Sequence, residues 1–237
     1  MADTNSTNYT LTYAAGLIVM VALALAFASE YLKPIQAINI AFDKKTKILQ
    51  SVGIIDKERA EEIYNAQIEE LVVNMHGDLV DSVQAFDINL KREAKKSPED
   101  RLLPLYVFTK DDSSQAYIIP MRGSGLWGPI SGFIAIDDDF NTIYGAAFNH
   151  DKETPGLGAE IKDNPWFRDQ FPGRKLFDDE GNFVSVSVKK NATVDDHTVN
   201  SVSGATITSK GVDEMIRIYA QLYLSYFDKI KIDNHGE

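Results

Sequence analysis

An uncharged apolar segment near the N-terminus limits, more than any other feature, what this chain can fold into. Residues Leu11–Ala28 carry no charged side chain and approach the roughly 20 apolar residues that an α-helix needs to cross a bilayer core. Ala26-Phe27-Ala28 is typical of a signal-peptide cleavage site, but residues 1–10 lack the Lys or Arg of a signal peptide. The segment therefore predicts an uncleaved anchor that spans membrane lipid once.

The charges around this segment indicate one orientation of the anchor. Lys33 and a lysine cluster at residues 44–47 follow the segment, whereas only Asp3 precedes it. Because cytoplasmic flanks are enriched in Lys and Arg, this pattern alone would place the C-terminal part of the chain in the cytoplasm.

Charge and the absence of cysteine exclude several classes of function. With a net charge of −11, the chain lacks the basic surface that nucleic acids require, so we predict no nucleic-acid partner. The chain contains no cysteine, which excludes cysteine-ligated iron–sulfur clusters and zinc–thiolate sites within it. The four histidines show no ligand spacing, and His150 with Glu153 gives only a slight indication of a metal. We therefore predict no metal site.

Hydrophobic periodicity predicts helices first and a β-rich part later. The predicted helices run from Tyr31 to Val52, with Pro34 as a kink or restart, and from an N-cap at Asp56 through a face of Ala60, Ile63, Tyr64, Ile68 and Leu71. The predicted strands are Leu105–Thr109, Ala116–Met121, Gly132–Ile136, Thr142–Phe148 and Phe183–Val188. A last helix follows Ser209, with Thr208 or Ser209 as its N-cap.

Separate helices and antiparallel hairpins predict an α+β fold. In it, a single N-terminal transmembrane helix is followed by helices and an antiparallel-sheet domain with a C-terminal helix. The predicted division is a short tail at 1–10, an anchor at 11–32, a helical membrane-proximal region at 33–100 and a sheet domain at 101–237.

Three segments of the predicted sheet domain carry the strongest functional pattern. They are Gly123-Ser124-Gly125-Leu126-Trp127-Gly128-Pro129-Ile130, His150-Asp151-Lys152-Glu153-Thr154-Pro155-Gly156-Leu157-Gly158-Ala159-Glu160, and Ser203-Gly204-Ala205-Thr206-Ile207-Thr208-Ser209. The first is not a dinucleotide loop, because Pro129 and a strand follow its glycines instead of a helix. In the third, Gly204 and Ala205 add little bulk beside the Thr206 hydroxyl, and the helix behind it would favour an anion there.

Together these segments resemble the FMN-binding domain family found in the C-subunit of sodium-translocating NADH:quinone oxidoreductases. The third segment resembles the S/T-G-A-T motif at which a flavin transferase esterifies FMN to threonine, and the resemblance covers roughly residues 10 to 230. It implies FMN held by a phosphoester to Thr206, in an electron-relay component of a six-subunit Na⁺-pumping NADH:ubiquinone reductase. It also implies the bacterial inner membrane, with the FMN domain on the periplasmic side, and we follow this implication over the charge pattern.

The resemblance implies a set of cofactor-binding residues, which are Thr206, Ser203, Gly204, Ala205, Leu126, Trp127, Glu153, Thr154, Gly156, Leu157 and Gly158. Trp127 is expected to contact the flavin, although an ordinary core position remains the alternative. Glu153 either accepts a hydrogen bond from the ribityl chain or braces its own loop. The glycines at 156 and 158 are interpreted as two positions with free φ. Relatives usually carry Asp six residues before the acceptor threonine, where this chain has Asn200.

Two other functions remain open on the sequence alone. One is the G-subunit of an Rnf-type ferredoxin:NAD oxidoreductase, which shares the E-T-P-G-L-G and S-G-A-T blocks. The other is a membrane-anchored binding module without redox chemistry. If the chain carries flavin, Thr206→Ala should abolish the covalent attachment, and Thr208→Ala should have a much smaller effect.

Overall fold

The computed structural model describes residues 6–193 and 195–235, with side chains described as far as residue 232. Asp3, half of the predicted tail at 1–10 and the His235 side chain lie outside the described residues. The chain forms two compact units, Met1–Lys44 and Lys45–Glu237.

The first unit is the N-terminal part of helix α1, Thr7–Ser51. Its most apolar stretch has a mean hydropathy of 2.3 and is fully exposed, so by length and composition the helix can cross a membrane. Stacked ring pairs four residues apart, Tyr9 with Tyr13 and Phe27 with Tyr31, line its surface. Pro34 removes one backbone donor, yet the helix continues through it without the restart that the sequence allowed.

The second unit is built on one antiparallel sheet. Its strands are β1 Ile68–Asn74, β2 Leu102–Thr109, β3 Gln115–Ser124, β4 Pro129–Asp137 and β5 Ile143–His150, paired in that order. Four of them coincide with predicted strands that the structure lengthens by a few residues. The antiparallel sheet with separate helices confirms the predicted α+β fold.

Shorter elements surround this sheet. The helices are α2 Ala60–Gln67, α3 Leu90–Glu93, α4 Glu160–Asp163, α5 Pro165–Arg168, α6 Thr206–Leu222 and α7 Leu224–His235. Two three-residue strands, β6 Ser187–Lys189 and β7 Thr198–Asn200, pair in parallel. Helix α6 packs across β3, and its next neighbour is β6.

Each face of the sheet covers its own apolar core. On one face, α6 and α7 bury Met215, Ile216 and Tyr223, and the Tyr223 hydroxyl donates a 2.6 Å hydrogen bond to the Pro104 carbonyl of β2. On the other face, Ile48 of the last turns of α1 packs with α2 and with side chains of β2 to β4. The three sequence segments described above lie at the β3–β4 turn, directly after β5 and at the start of α6.

Several sequence predictions about secondary structure are wrong. Helix α2 begins at Ala60 and has Arg59 at its N-cap position, not Asp56. The Asp56 carboxylate instead accepts from the Glu58 and Arg59 amides before the helix begins.

Ile68 and Leu71 lie in β1 and not on a helix face, because pairing with Phe108 and Leu105 of β2 completes the sheet. Residues 183–188 are not one strand, since Ser185 adopts a φ of 62°, which breaks the alternation before β6 begins at Ser187.

Candidate functional site

The site is built around the first turn of α6. Thr206 is the first helical residue, and helical hydrogen bonding begins where the Ser209 amide donates to the Ala205 carbonyl at 2.9 Å. The helix therefore begins earlier than predicted, and Thr208 and Ser209 lie inside its first turn and not at the N-cap. Thr206 is exposed, whereas Thr208 and Ser209 are buried. Because the first amides of a helix have no intrahelical acceptor, this end attracts an anion.

Helix α6 reaches the end of β3 because two glycines let the backbones touch. A Cβ on Gly211 would overlap the Ser124 carbonyl, and one on Gly123 would lie 3.1 Å from the Met215 Cβ. The amphipathic face of the helix then buries Val212 and Met215, as the sequence spacing predicted. The beginning of the helix is thus fixed beside the turn that follows β3.

That turn, residues 125–128, joins β3 to β4 and carries the Leu126 and Trp127 side chains at its tip. The Gly125 amide donates to the Gly128 carbonyl at 2.8 Å, which closes the turn. Leu126 and Trp127 are 51% and 64% exposed. Trp127 is therefore not a core residue, and the alternative interpretation of this side chain is excluded.

The second loop follows β5 and contains residues 153–158. Amides of Leu157 and Ala159 both donate to the Thr154 carbonyl at 3.1 Å, and Gly156 has a φ of +74°. Gly158 does not have a positive φ, so the prediction of two free-φ positions is wrong for it. Glycine is required there because a Cβ would overlap Glu153 Oε2 and lie 2.8 Å from Thr208 Oγ1.

Glu153 joins the three segments. The residue is 5% exposed, with Oε1 accepting from the Trp127 amide at 2.8 Å and Oε2 accepting from the Thr208 hydroxyl at 2.6 Å. Its own amide donates to His150 Nδ1 at 3.3 Å. Within residues 6–193 and 195–232, Glu153 has no ion-pair partner. These contacts match the bracing role that the sequence left open for this carboxylate.

The segments enclose a cavity of about 200 Å³, which we call the threonine cavity. Its lining is Leu126, Trp127, Glu153, Thr154, Leu157, Gly158, Gly204, Ala205, Thr206, Ile207 and Thr208. All but two of the predicted cofactor-binding residues therefore meet at one place. Gly156 and Ser203 instead line a neighbouring cavity of about 590 Å³, together with Trp166 and Lys190.

The Leu157 side chain lies against Gly204 in the lining of the threonine cavity. Gly204 has a φ of +75°, and a Cβ there would lie 2.6 Å from Leu157 Cδ2. A larger residue at 204 would therefore displace the Leu157 side chain and strain the backbone before Thr206.

Three residues at the site were missed or undervalued from the sequence. Ile207 is 57% exposed at the rim of the threonine cavity, and Thr208 makes the buried bond to Glu153. Asn200 Oδ1 accepts from the Ala192 amide at 2.8 Å, an acceptor role that an aspartate at this position could also fill. The spacing of Thr206 and Thr208 is visible in the sequence, but the hydrogen bond from Thr208 to Glu153, 55 residues away, is not.

The described part of the chain contains no group of three or more His, Asp or Glu side chains that could hold a metal ion. His150 Nδ1 is used as an acceptor for the Glu153 amide, which explains the spacing of these two residues without a cation.

Comparison with known proteins agrees with this geometry. Residues 125–221, which include most of the three segments, match the family described as the FMN-binding domain. The C-subunit of the Na⁺-translocating NADH-quinone reductase of Haemophilus ducreyi is 36% identical over 235 residues, covering 91% of this chain and 90% of the relative. The corresponding protein of Vibrio vulnificus is 34% identical over 90% of both chains.

Solved structures show the same fold. The crystal structure of this reductase's C-subunit from Parabacteroides distasonis has a TM-score of 0.74 at 40% identity, covering 83% of this chain and 96% of that one. The corresponding structure from Shewanella oneidensis, at 24% identity and a TM-score of 0.71, supports the fold alone. The chain belongs to the family formed by the C-subunit of the Na⁺-translocating NADH-quinone reductase.

Proposed function

We propose that this chain is a membrane-anchored electron-relay component that carries FMN through a phosphoester to Thr206. The observation that supports the proposal most strongly is the position of Thr206. It is the exposed first residue of a helix, at the edge of a cavity whose lining contains nearly all of the predicted cofactor-binding residues.

The accessibility of the two threonines supports Thr206 as the acceptor. Thr206 is exposed, whereas the Thr208 hydroxyl is buried and donates a hydrogen bond to Glu153. Attachment would form a bond between Thr206 Oγ1 and the FMN phosphorus, break the phosphoanhydride of an activated flavin donor, and release the leaving phosphate with the hydroxyl proton. A dedicated flavin transferase would catalyse this transfer.

The residues present fit such a group. The amides at the start of α6 that lack an intrahelical acceptor favour its phosphate, and Ser203 and Lys190 line the neighbouring cavity. The exposed side chains of Leu126, Trp127 and Leu157 offer apolar and aromatic surface to a flat ring. When bound, FMN supplies one- and two-electron redox chemistry, and the chain supplies attachment and orientation.

The family and the apolar helix α1 support a membrane setting for the proposal. We place the chain in the bacterial inner membrane through α1, with the FMN domain on the periplasmic side and the other members of a six-subunit complex as partners. The complex would couple electron transfer from NADH to ubiquinone with Na⁺ export. The division into 1–10, 11–32, 33–100 and 101–237 stays a prediction.

The two alternatives are less well supported. Relatives covering nine-tenths of the chain are C-subunits of the Na⁺-translocating reductase, which favours this assignment over the G-subunit of an Rnf complex. The match to an FMN-binding domain favours a flavoprotein over a binding module without redox chemistry.

Intact mass of the chain purified from its own membranes tests the proposal. We expect a mass gain of FMN less one water, fragment ions that locate it at Thr206, and a fluorescent band on a denaturing gel. Thr206→Ala should abolish all three and leave the melting temperature unchanged, because the side chain is exposed. Full covalent flavin in that variant, or an unmodified wild-type chain in a host with an active flavin transferase, would contradict it.

A further inference from the structure

A buried hydrogen bond fixes the start of α6 relative to both cavity loops. We propose that Glu153 and Thr208 are a positioning pair that sets the rotation of α6, so that Thr206 faces the flavin transferase while Thr208 faces inward. This inference rests on the proposed function, because it concerns attachment to Thr206. Neither residue of the pair reacts, since the phosphoester forms at Thr206 Oγ1 as the donor's phosphoanhydride breaks.

One carboxylate holds all three segments of the site together. Oε1 of Glu153 accepts from the Trp127 amide in the β3–β4 turn, and Oε2 accepts from Thr208 in α6. Glu153 itself belongs to the loop after β5. Every segment that lines the threonine cavity therefore meets at this side chain.

The surrounding glycines make room for the carboxylate. A Cβ on Gly125 would lie 2.5 Å from Glu153 Oε1, and a Cβ on Gly158 would overlap Oε2. Gly125 and Gly158 both have φ values outside the left-handed region, so conformational freedom does not explain them. The sequence thus keeps two glycines where the pair needs space.

The helix geometry links the direction of Thr208 to that of Thr206. With 3.6 residues per turn, residues two apart are separated by about 200° around the helix axis and so point in nearly opposite directions. When Thr208 points inward to Glu153, Thr206 must point to the other side, where it is exposed. The bond from Thr208 therefore fixes the direction of the acceptor hydroxyl without contacting it.

Other contacts keep α6 folded when this bond is removed. Ser209 Oγ accepts from the Val202 amide at 3.2 Å, and Val212, Met215 and Ile216 remain in the core. Loss of the Thr208 hydroxyl should therefore loosen the first turn and the loops around the threonine cavity without unfolding the domain.

The test compares Thr208→Val, which keeps the shape but removes the hydroxyl, with Thr208→Ser, which keeps the hydroxyl. Tyr223→Phe is the matched control, because it removes another buried hydroxyl bond on the same core face, beyond the far end of α6. Glu153→Gln is a second variant, in which an NH₂ donor replaces one carboxylate oxygen. Each full-length chain is incubated with flavin transferase and its flavin donor, and FMN incorporation is followed by intact mass.

We expect Thr208→Val to lower the initial rate of incorporation about tenfold, because Glu153 loses a buried charge-assisted hydrogen bond. Glu153→Gln should also lower the rate. Thr208→Ser, which keeps the hydroxyl, should incorporate FMN at about the wild-type rate. Hydrogen exchange of the unmodified Thr208→Val chain should accelerate at residues 125–128 and 206–209. This expected effect is larger than the small one predicted for Thr208→Ala from the sequence.

The outcomes separate this inference from the function on which it rests. A wild-type rate in Thr208→Val, or an equal slowing in Tyr223→Phe, would overturn the positioning role and leave Thr206 as the acceptor. A wild-type chain that takes up no FMN would overturn the proposed function itself.

Discussion

Two turns of the same sheet differ in how they use an aromatic side chain and a carboxylate. The β4–β5 turn, residues 137–142, buries Phe140 at 3% exposure and satisfies Asp139 within the turn, through the Thr142 amide at 2.7 Å and its hydroxyl. The β3–β4 turn, residues 125–128, exposes Trp127 and donates its backbone amide to Glu153, a carboxylate of another loop.

This difference indicates which turn serves the fold and which serves a ligand. Phe140 contacts the rings of Tyr117 and Phe227, with centroids 5.0 and 5.1 Å away, so its apolar surface is already used. The apolar surface of Trp127 has no such use in the described residues beyond lining the threonine cavity. A turn held by a distant carboxylate and presenting an exposed aromatic ring is thus typical of a binding site.

The largest expected effect is a loss of stability from a substitution in the β4–β5 turn. Phe140→Ala should lower the free energy of unfolding by about 3–5 kcal/mol, because it empties a buried aromatic position. Covalent FMN content of the folded fraction should stay unchanged. Denaturant titration of the full chain in detergent measures the first effect and intact mass the second. Phe140→Leu, which keeps an apolar side chain, is the control. A loss of flavin without a loss of stability in Phe140→Ala would contradict the assignment of this turn to the fold.

The intermediate effect is on the β3–β4 turn. Trp127→Ala should change the free energy of unfolding by less than about 0.5 kcal/mol, since the side chain is exposed and the backbone donor to Glu153 remains. It should nevertheless shift the visible absorption and change the fluorescence of the bound flavin, because the ring loses an aromatic neighbour. Trp127→Phe should behave more like the wild type. An unaltered flavin spectrum in Trp127→Ala would show that this turn does not contact the ring.

The smallest expected effect is on the free energy of unfolding at acidic pH. Partial desolvation raises the pKa of Asp139, but hydrogen bonds from Thr142 and Asn141 outweigh it and hold the pKa below its ordinary value of 3.8. These bonds therefore stabilise the fold above pH 3.8, and their contribution is lost as the pH falls through the lowered pKa. Because Asp139 is exposed, the contribution should stay under about 1 kcal/mol.

Asp139→Asn should accordingly flatten, by a small amount, the decline of the unfolding free energy as the pH falls from about 5 to about 3. Asp138→Asn removes the same charge from the same turn without touching Thr142, and it is the matched control for a denaturant titration at each pH. An equal flattening in both variants would mean that net charge, and not the local hydrogen bonds, causes the decline of the unfolding free energy at low pH.

Much of the architecture was predictable because it is encoded locally. The apolar run of α1, the alternation in β2 to β5 and the helical spacing of Val212, Met215 and Ile216 each depend on neighbouring residues only. The Thr206 motif was found by its resemblance to a family motif, and its residues too are adjacent in sequence. Patterns of this kind can be recognised without knowing how the rest of the chain folds.

What the sequence by itself determined is therefore the apolar N-terminal helix, four of the five strands of the sheet and the three segments that line the threonine cavity. Only the tertiary structure decided that Ile68 and Leu71 form a strand, because pairing with β2 outweighs a helical spacing. It also decided that Gly158 makes room for a carboxylate, and that Thr208 bonds to Glu153 across 55 residues. These features depend on packing between segments distant in the chain, and such packing leaves no periodic trace in the sequence.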